Sequence, residues 1–207
     1  MPSKTAPRRL YAAASLFLAV GVLPAADTLT NEEYTVYSAA LANIRFSHAY
    51  RGQALVIVRD TVDLHGLPVA TQDCSNLTVL LRHRMEDVLV VNHGLPISTS
   101  RRLGDKKLVI GRSYLLVTPQ QADEWSRYRF SPGIPTDPPG PEIADPFPGT
   151  SDLVRLSNIL FNANKTAALV HVSATCGSLC MSSQWYFLEK AQGIWRVLST
   201  PGCGTIS

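Results

Sequence analysis

No short motif in this chain names a reaction. A G-x-S-x-G nucleophile elbow, an H-E-x-x-H zinc helix and a P-loop are all missing. Their absence takes away the usual signatures of an α/β-hydrolase, a zinc protease and a nucleotide hydrolase. A dispersed Ser/His/Asp set stays open, because such triads are recognised by geometry and not by order. A basic run is also missing. The full chain has 19 Lys and Arg against 16 Asp and Glu, and its excess lies at the start, in Lys4, Arg8 and Arg9. Without residues 1–26 the basic and acidic side chains balance, which leaves no electrostatic case for nucleic acid. Arg101-Arg102 and Lys106-Lys107 read as a solvated loop. Cysteine is scarce, at positions 74, 176, 180 and 203 only. None lies near the leader, so attachment of a lipid through cysteine is not expected there.

What is present begins with export. Lys4, Arg8 and Arg9 precede an apolar run from Leu10 to Leu23, and Pro24-Ala25-Ala26 follows with small residues. Basic, apolar, then small is the order of a secretory signal peptide. The apolar core is shorter than the roughly 20 residues that a membrane span needs. Residues 1–26 are therefore expected to be removed on the way to the periplasm or the exterior, leaving no stable span. Residues 27–207 suit one domain, long enough to bury a core. An even cysteine count in an exported chain favours disulfides.

The pattern along the chain predicts an α+β fold: an N-terminal helix packed on a mostly antiparallel sheet, with a C-terminal β-meander. Thr30 and Glu33 form a capping box. Tyr34, Tyr37, Leu41 and Ile44 then recur at helical spacing over residues 31–45 and read as core. Ala54 to Val58 is a short strand stopped by Arg59-Asp60. Residues 75–91 fit a second helix, although Val88 to Val91 fits a strand equally well. Lys107 to Val117 reads as strand or hairpin with a break at Gly111, and Pro119 to Tyr128 as a short helix with proline in its first turn. Seven of the 14 prolines fall between Pro132 and Pro148. Proline fixes φ and lacks an amide donor, so residues 131–149 read as an extended surface loop, with a binding lid as the functional alternative.

After that loop the alternation turns to strands: Val154 to Ile159, Ala168 to Val172, Gln184 to Glu189 and Ile194 to Leu198. Turns are expected through Asn162–Lys165 and Ala191–Gly193. Ala168, Val170 and Val172 fall on one face, as do Trp195 and Val197, and the short loops favour an antiparallel meander.

Cys176-Gly-Ser-Leu-Cys180 lies between two of these strands and admits three readings. A disulfide needs Cα atoms about 4.4–6.8 Å apart, which a tight loop can supply. The favoured pairing joins Cys176 to Cys180 and Cys74 to Cys203, although four cysteines allow three pairings. A thiol-redox couple asks for a helix N-terminus beside the thiolate, and here a strand follows. A Cu or Zn site would recruit His171, Cys176 and Cys180, with Met181 or Cys203. Against it, His171 alternates with Val170 and Val172 and is expected to face solvent. Elsewhere His65 and His93 sit in an imperfect duplication, Val62 to Thr71 and Val90 to Thr99, each with His-Gly-Leu-Pro. They read as turn residues, and would form a paired site only if the fold joined both turns.

Several signatures resemble a family of uncharacterised exported bacterial proteins. They are Phe147-Pro-Gly-Thr150, Ser157 with Phe161-Asn162, Ala168-Leu-Val170, Cys176-Gly-Ser-Leu-Cys180, and Leu188-Glu-Lys190 with Gly193-Ile-Trp195. Asn31 to Tyr37 and Leu55 to Thr61 are similar to that family's N-terminal half. The chain departs from it in the proline-rich insertion, in Met181-Ser182-Ser183, and in Cys74 and Cys203. The resemblance implies export and fold but no activity.

The expected function is an exported, disulfide-stapled, non-enzymatic binding or accessory protein, with an unidentified protein or small-molecule partner and no cofactor. The alternatives are a thiol or Cu/Zn protein using Cys176 and Cys180, and a hydrolase without a sequence signature.

Overall fold

The computed structural model describes residues 29–44, 53–62, 100–104, 106–130, 144–177, 180–198 and 204–206. The leader, Cys74, Cys203, His65, His93, the helix expected at 75–91 and most of the proline-rich loop lie outside them.

The described residues form an α+β structure dominated by one mixed sheet. Helix α1 (Asn31–Ala42) opens with a reciprocal cap. The Glu33 amide donates to Thr30 Oγ1, and the Thr30 amide donates to the Glu33 carboxylate. This satisfies amides that a helix N-terminus otherwise leaves unpaired. Strand β1 (Ala54–Val58) lies between β2 (Tyr114–Val117) and β3 (Thr150–Leu156), parallel to both. Helix α2 (Pro119–Phe130) connects β2 to β3. A two-residue strand β4 (Leu160–Phe161) pairs with β5 (Ala167–Gly177). β5 also runs antiparallel to β3 and to β6 (Cys180–Ala191). β7 (Ile194–Val197) and β8 (Gly204–Ile206) pair with different stretches of β6.

Two apolar layers cover the two faces. Leu55 and Ile57 of β1 belong to the larger layer, with Val154, Leu156, Ala168, Val170 and Val172, under Tyr34, Tyr37 and Leu41 of α1. Val56 and Val58 point the other way, toward Val117, Leu153 and the α2 residues Ala122 and Trp125. Strand residues alternate between faces, so β1 is apolar throughout because both of its faces are covered. That parallel, two-sided environment separates β1 from the antiparallel meander of β5, β6 and β7. The turn between β6 and β7 is Gln192-Gly193, both at positive φ (52° and 80°). This is the mirror-image geometry that matches strand twist in a two-residue hairpin. Gly111 also has positive φ (71°), and β2 starts just beyond it.

Polar contacts tie α1 down. Tyr37 donates to the Ser157 carbonyl at 2.8 Å, and Tyr34 accepts from the Gly104 amide at 2.6 Å. The aromatic stripe of α1 is therefore core with hydrogen-bonding tips, the arrangement that lets tyrosine be buried.

Candidate functional site

The β5–β6 hairpin carries the cysteine pair. The ladder runs unbroken from Ala167↔Glu189 to Thr175↔Met181, then shifts so that Gly177 pairs with Cys180. Cys176 and Cys180 are joined by a disulfide across this end, with Cα atoms 5.3 Å apart, inside the usual range for a bridge. Both sulfurs are thus committed to each other, and neither is a thiolate in this state.

His171 departs from its expected position. It does oppose Val170 and Val172, but it is buried, because the other face of β5 is covered as well. Its imidazole stands edge-on to Trp185, with ring centroids 5.0 Å apart, and α2 lies against the same strand. Nε2 is 2.7 Å from Ser183 Oγ, one strand over. Burial pushes the imidazole down to about 4, so it is neutral at physiological pH. His171 and Cys176 are five positions apart along β5, about 16 Å at strand rise. The structure therefore does not bring His171 to the cysteines. No cluster of three or more metal-ligating side chains occurs among the described residues.

A second buried polar group lies near the start of β3. Asp152 is 3 % exposed, and its Oδ2 has no hydrogen-bond partner among the described residues. Burial raises its carboxyl above the ordinary range, against the opposing pull of Ser151, Arg112 and Arg129. Arg112 spans this region, donating to the Gln53 carbonyl at 2.7 Å.

Among the described residues a cleft also opens at the carboxyl ends of the parallel strands β1 and β2. It measures about 330 Å³ and is lined by Arg59, Asp60, Arg102, Leu116, Thr118 and Gln121. This is the lower end of the size range of small-molecule sites. Chain ends of adjacent parallel strands are also where open sheets usually take ligands. Arg59 and Asp60 leave β1 as it stops, and the Arg59 amide donates to the Val117 carbonyl at 2.8 Å. Residues 100–104 run alongside: the Leu103 amide donates to the Arg59 carbonyl, and the Thr61 amide to the Arg101 carbonyl. Arg102 then grips the Asp60 carboxylate with two nitrogens, at 2.8 and 3.4 Å.

The other wall is the first turn of α2. Thr118 Oγ1 accepts from the Gln121 amide, and Gln121 Oε1 accepts from the Thr118 amide at 2.9 Å. That second capping box fixes both side chains at the rim. Along the sequence alone, Arg59-Asp60 reads as a strand stop and Arg101-Arg102 as a solvated cluster, and neither points to this site. Arg101 in fact pairs with the buried carboxylate of Glu33, and Arg102 with Asp60. The one available signal was a cation placed directly after a wholly apolar strand.

No family model, curated protein or solved structure matches the chain.

Proposed function

We propose that the chain is an exported, disulfide-stapled binding or accessory domain without catalytic activity, acting in the periplasm or outside the cell after loss of its leader. In this reading it is an α+β domain whose N-terminal helix lies on the sheet, and its partner is a protein or small molecule. The observation that supports it is the Cys176–Cys180 bridge at the end of a continuous β5–β6 ladder. A bridge there fastens a rigid hairpin and uses up the thiols that redox or metal chemistry would need. Mass spectrometry of the mature protein without reductant tests it. The expected mass is that of the leaderless chain minus two hydrogens for each bridge, with no metal bound. Free thiols at 176 and 180, or bound Cu or Zn, would shift the assignment to the thiol or metal alternative.

A second reading, a hydrolase, is favoured by one contact: Ser183 Oγ lies 2.7 Å from His171 Nε2. A neutral imidazole in that place can accept the hydroxyl proton as the oxygen attacks an acyl carbon. The same contact also satisfies a buried histidine, which needs a partner whether or not it reacts. Labelling with a fluorophosphonate separates the two. Modification of Ser183, lost in His171→Gln, supports the hydrolase, and an unlabelled protein removes it.

A further inference from the structure

We propose that the cleft between the ends of β1 and β2 takes a small molecule through a carboxylate or phosphate group, held chiefly by Arg59. This rests on the reading of the chain as a binding domain and names the ligand class that such a domain would carry.

The donor and acceptor groups on the cleft wall select the ligand. Arg59 presents a guanidinium with five N–H donors and no acceptor. Its backbone is held by Val117 and Leu103, while its side chain makes no hydrogen bond or ion pair within the described residues. Thr118 Oγ1 accepts from the Gln121 amide, which leaves its hydroxyl hydrogen to donate. Gln121 uses its oxygen on the Thr118 amide, which leaves its NH₂ group to donate. Arg102 is the second cation. The one carboxylate, Asp60, is already taken up by Arg102. The wall thus offers several donors and no uncommitted ionised acceptor, and its charges sum to one positive.

Such a lining suits an acceptor-rich anion. A guanidinium recognises carboxylate and phosphate alike through paired N–H groups, and charge-assisted bonds of this kind are the stronger class. A neutral, donor-bearing ligand such as a sugar would find few acceptors. A cation would meet Arg59 and Arg102. Asp60 has a separate part: by neutralising and orienting Arg102 it keeps the second guanidinium on the rim, which leaves Arg59 as the uncompensated charge among the described lining residues. Leu116 supplies an apolar wall for the uncharged part of the ligand. Because the cleft is small, the ligand is a metabolite-sized acid or phosphate and not a polymer.

Calorimetric titration of the mature protein at low ionic strength tests this, with inorganic phosphate, citrate and glucose as separate probes and chloride as the ionic-strength control. Binding of phosphate or citrate is expected, and glucose and chloride should give none. The probe that binds more tightly distinguishes a phosphate ligand from a carboxylate one. Arg59→Met retains the aliphatic stem and should weaken binding by about tenfold or more, the usual effect of removing a charge-assisted bond. Gln121→Glu, which sets a carboxylate against the anion, should weaken it as well and guards against a folding defect in the first variant. Circular dichroism and the melting temperature report whether each variant is folded. Absence of binding by both anions overturns the proposal, and so does unweakened, wild-type binding by folded Arg59→Met and Gln121→Glu. The unreduced mass of the same sample is independent of these titrations. A bridged, metal-free protein that binds neither anion loses the ligand class and keeps the stapled-domain reading, whereas free thiols remove that reading itself.

Discussion

Glu32 on α1 accepts the indole N–H of Trp195 on β7 at 2.7 Å, across 163 residues of sequence. The same oxygen accepts from Lys190 at 2.7 Å, and the ammonium of Lys190 sits 5.7 Å from the centre of the Trp195 ring. One carboxylate therefore docks the first described helix onto the meander. The Lys190 hydrogen bond, opposed by partial burial and joined by Trp195, holds the Glu32 carboxyl below its usual range.

For a carboxyl with a lowered folded value, the stabilisation is complete above the unfolded value. It fades as pH falls through the folded one. Glu32→Gln is expected to cost about 1 kcal/mol at neutral pH, since the site is partly open to water. The gap between the two proteins should close in acid. Denaturant melts from pH 7 down to 3 would show it, and a gap that widened on acidification would contradict the assigned role.

His171 imposes a second acid limb. Its folded value near 4 lies well under the ordinary 6.5, so the unfolded chain takes up a proton first as pH falls. Stability should drop between pH 6.5 and about 4, by something of order 3 kcal/mol at most. His171→Gln should flatten that limb, and an NMR titration of the ring should find it neutral at pH 6. A ring that titrates near 6.5 would mean that the side chain is open to solvent.

Legibility in the sequence followed the range of the interaction. The Thr30–Glu33 box, the Gln192-Gly193 turn and the faces of β5 and β7 are local. Capping chemistry, turn chemistry and alternation over a few residues suffice to find them. The parallel pairing of β1 with β2 and β3 was not legible. An apolar run such as Leu55–Val58 announces burial but not its partner. His171 was assigned the correct face and the wrong environment, because alternation says nothing of what covers the second face. The cleft needed Arg59, Arg102 and Gln121 together, from three segments that meet only in the fold.

Breaking the bridge should be a local event. Closing so small a ring restrains the unfolded chain by about 2 kcal/mol on the loop-entropy view. Cys176→Ser with Cys180→Ser is expected to lower stability by about that amount and leave the ladder in place. Amide exchange should quicken beside Thr175 and Met181 and stay slow near Ala168 and Leu188. Uniform acceleration along both strands would show that the bridge holds the whole hairpin.

Asp152 offers the opposite sign. A raised folded value means that ionisation opposes folding, so its cost is absent in acid and grows as pH rises through the unfolded value and then the folded one. Asp152→Asn keeps the shape and removes the charge. A gain of about 1 kcal/mol at pH 7 that vanishes in acid is expected from thermal melts. A loss at pH 7 would instead mark the carboxylate as held by Arg112 and Arg129.

The place of β3 in the sheet has a consequence for how the chain comes to its folded state. Among the described residues, β1 and β2 reach the rest of the sheet only through β3, which lies some 90 residues after β1 in the chain. A polypeptide emerging N-terminus first must carry one edge of Leu55-Val-Ile-Val58 unpaired until Thr150 to Leu156 has followed. Long-range pairing of this kind is slow to form, and an unpaired strand edge is prone to self-association meanwhile. The same wiring leaves that edge open to any other strand it meets before β3 arrives.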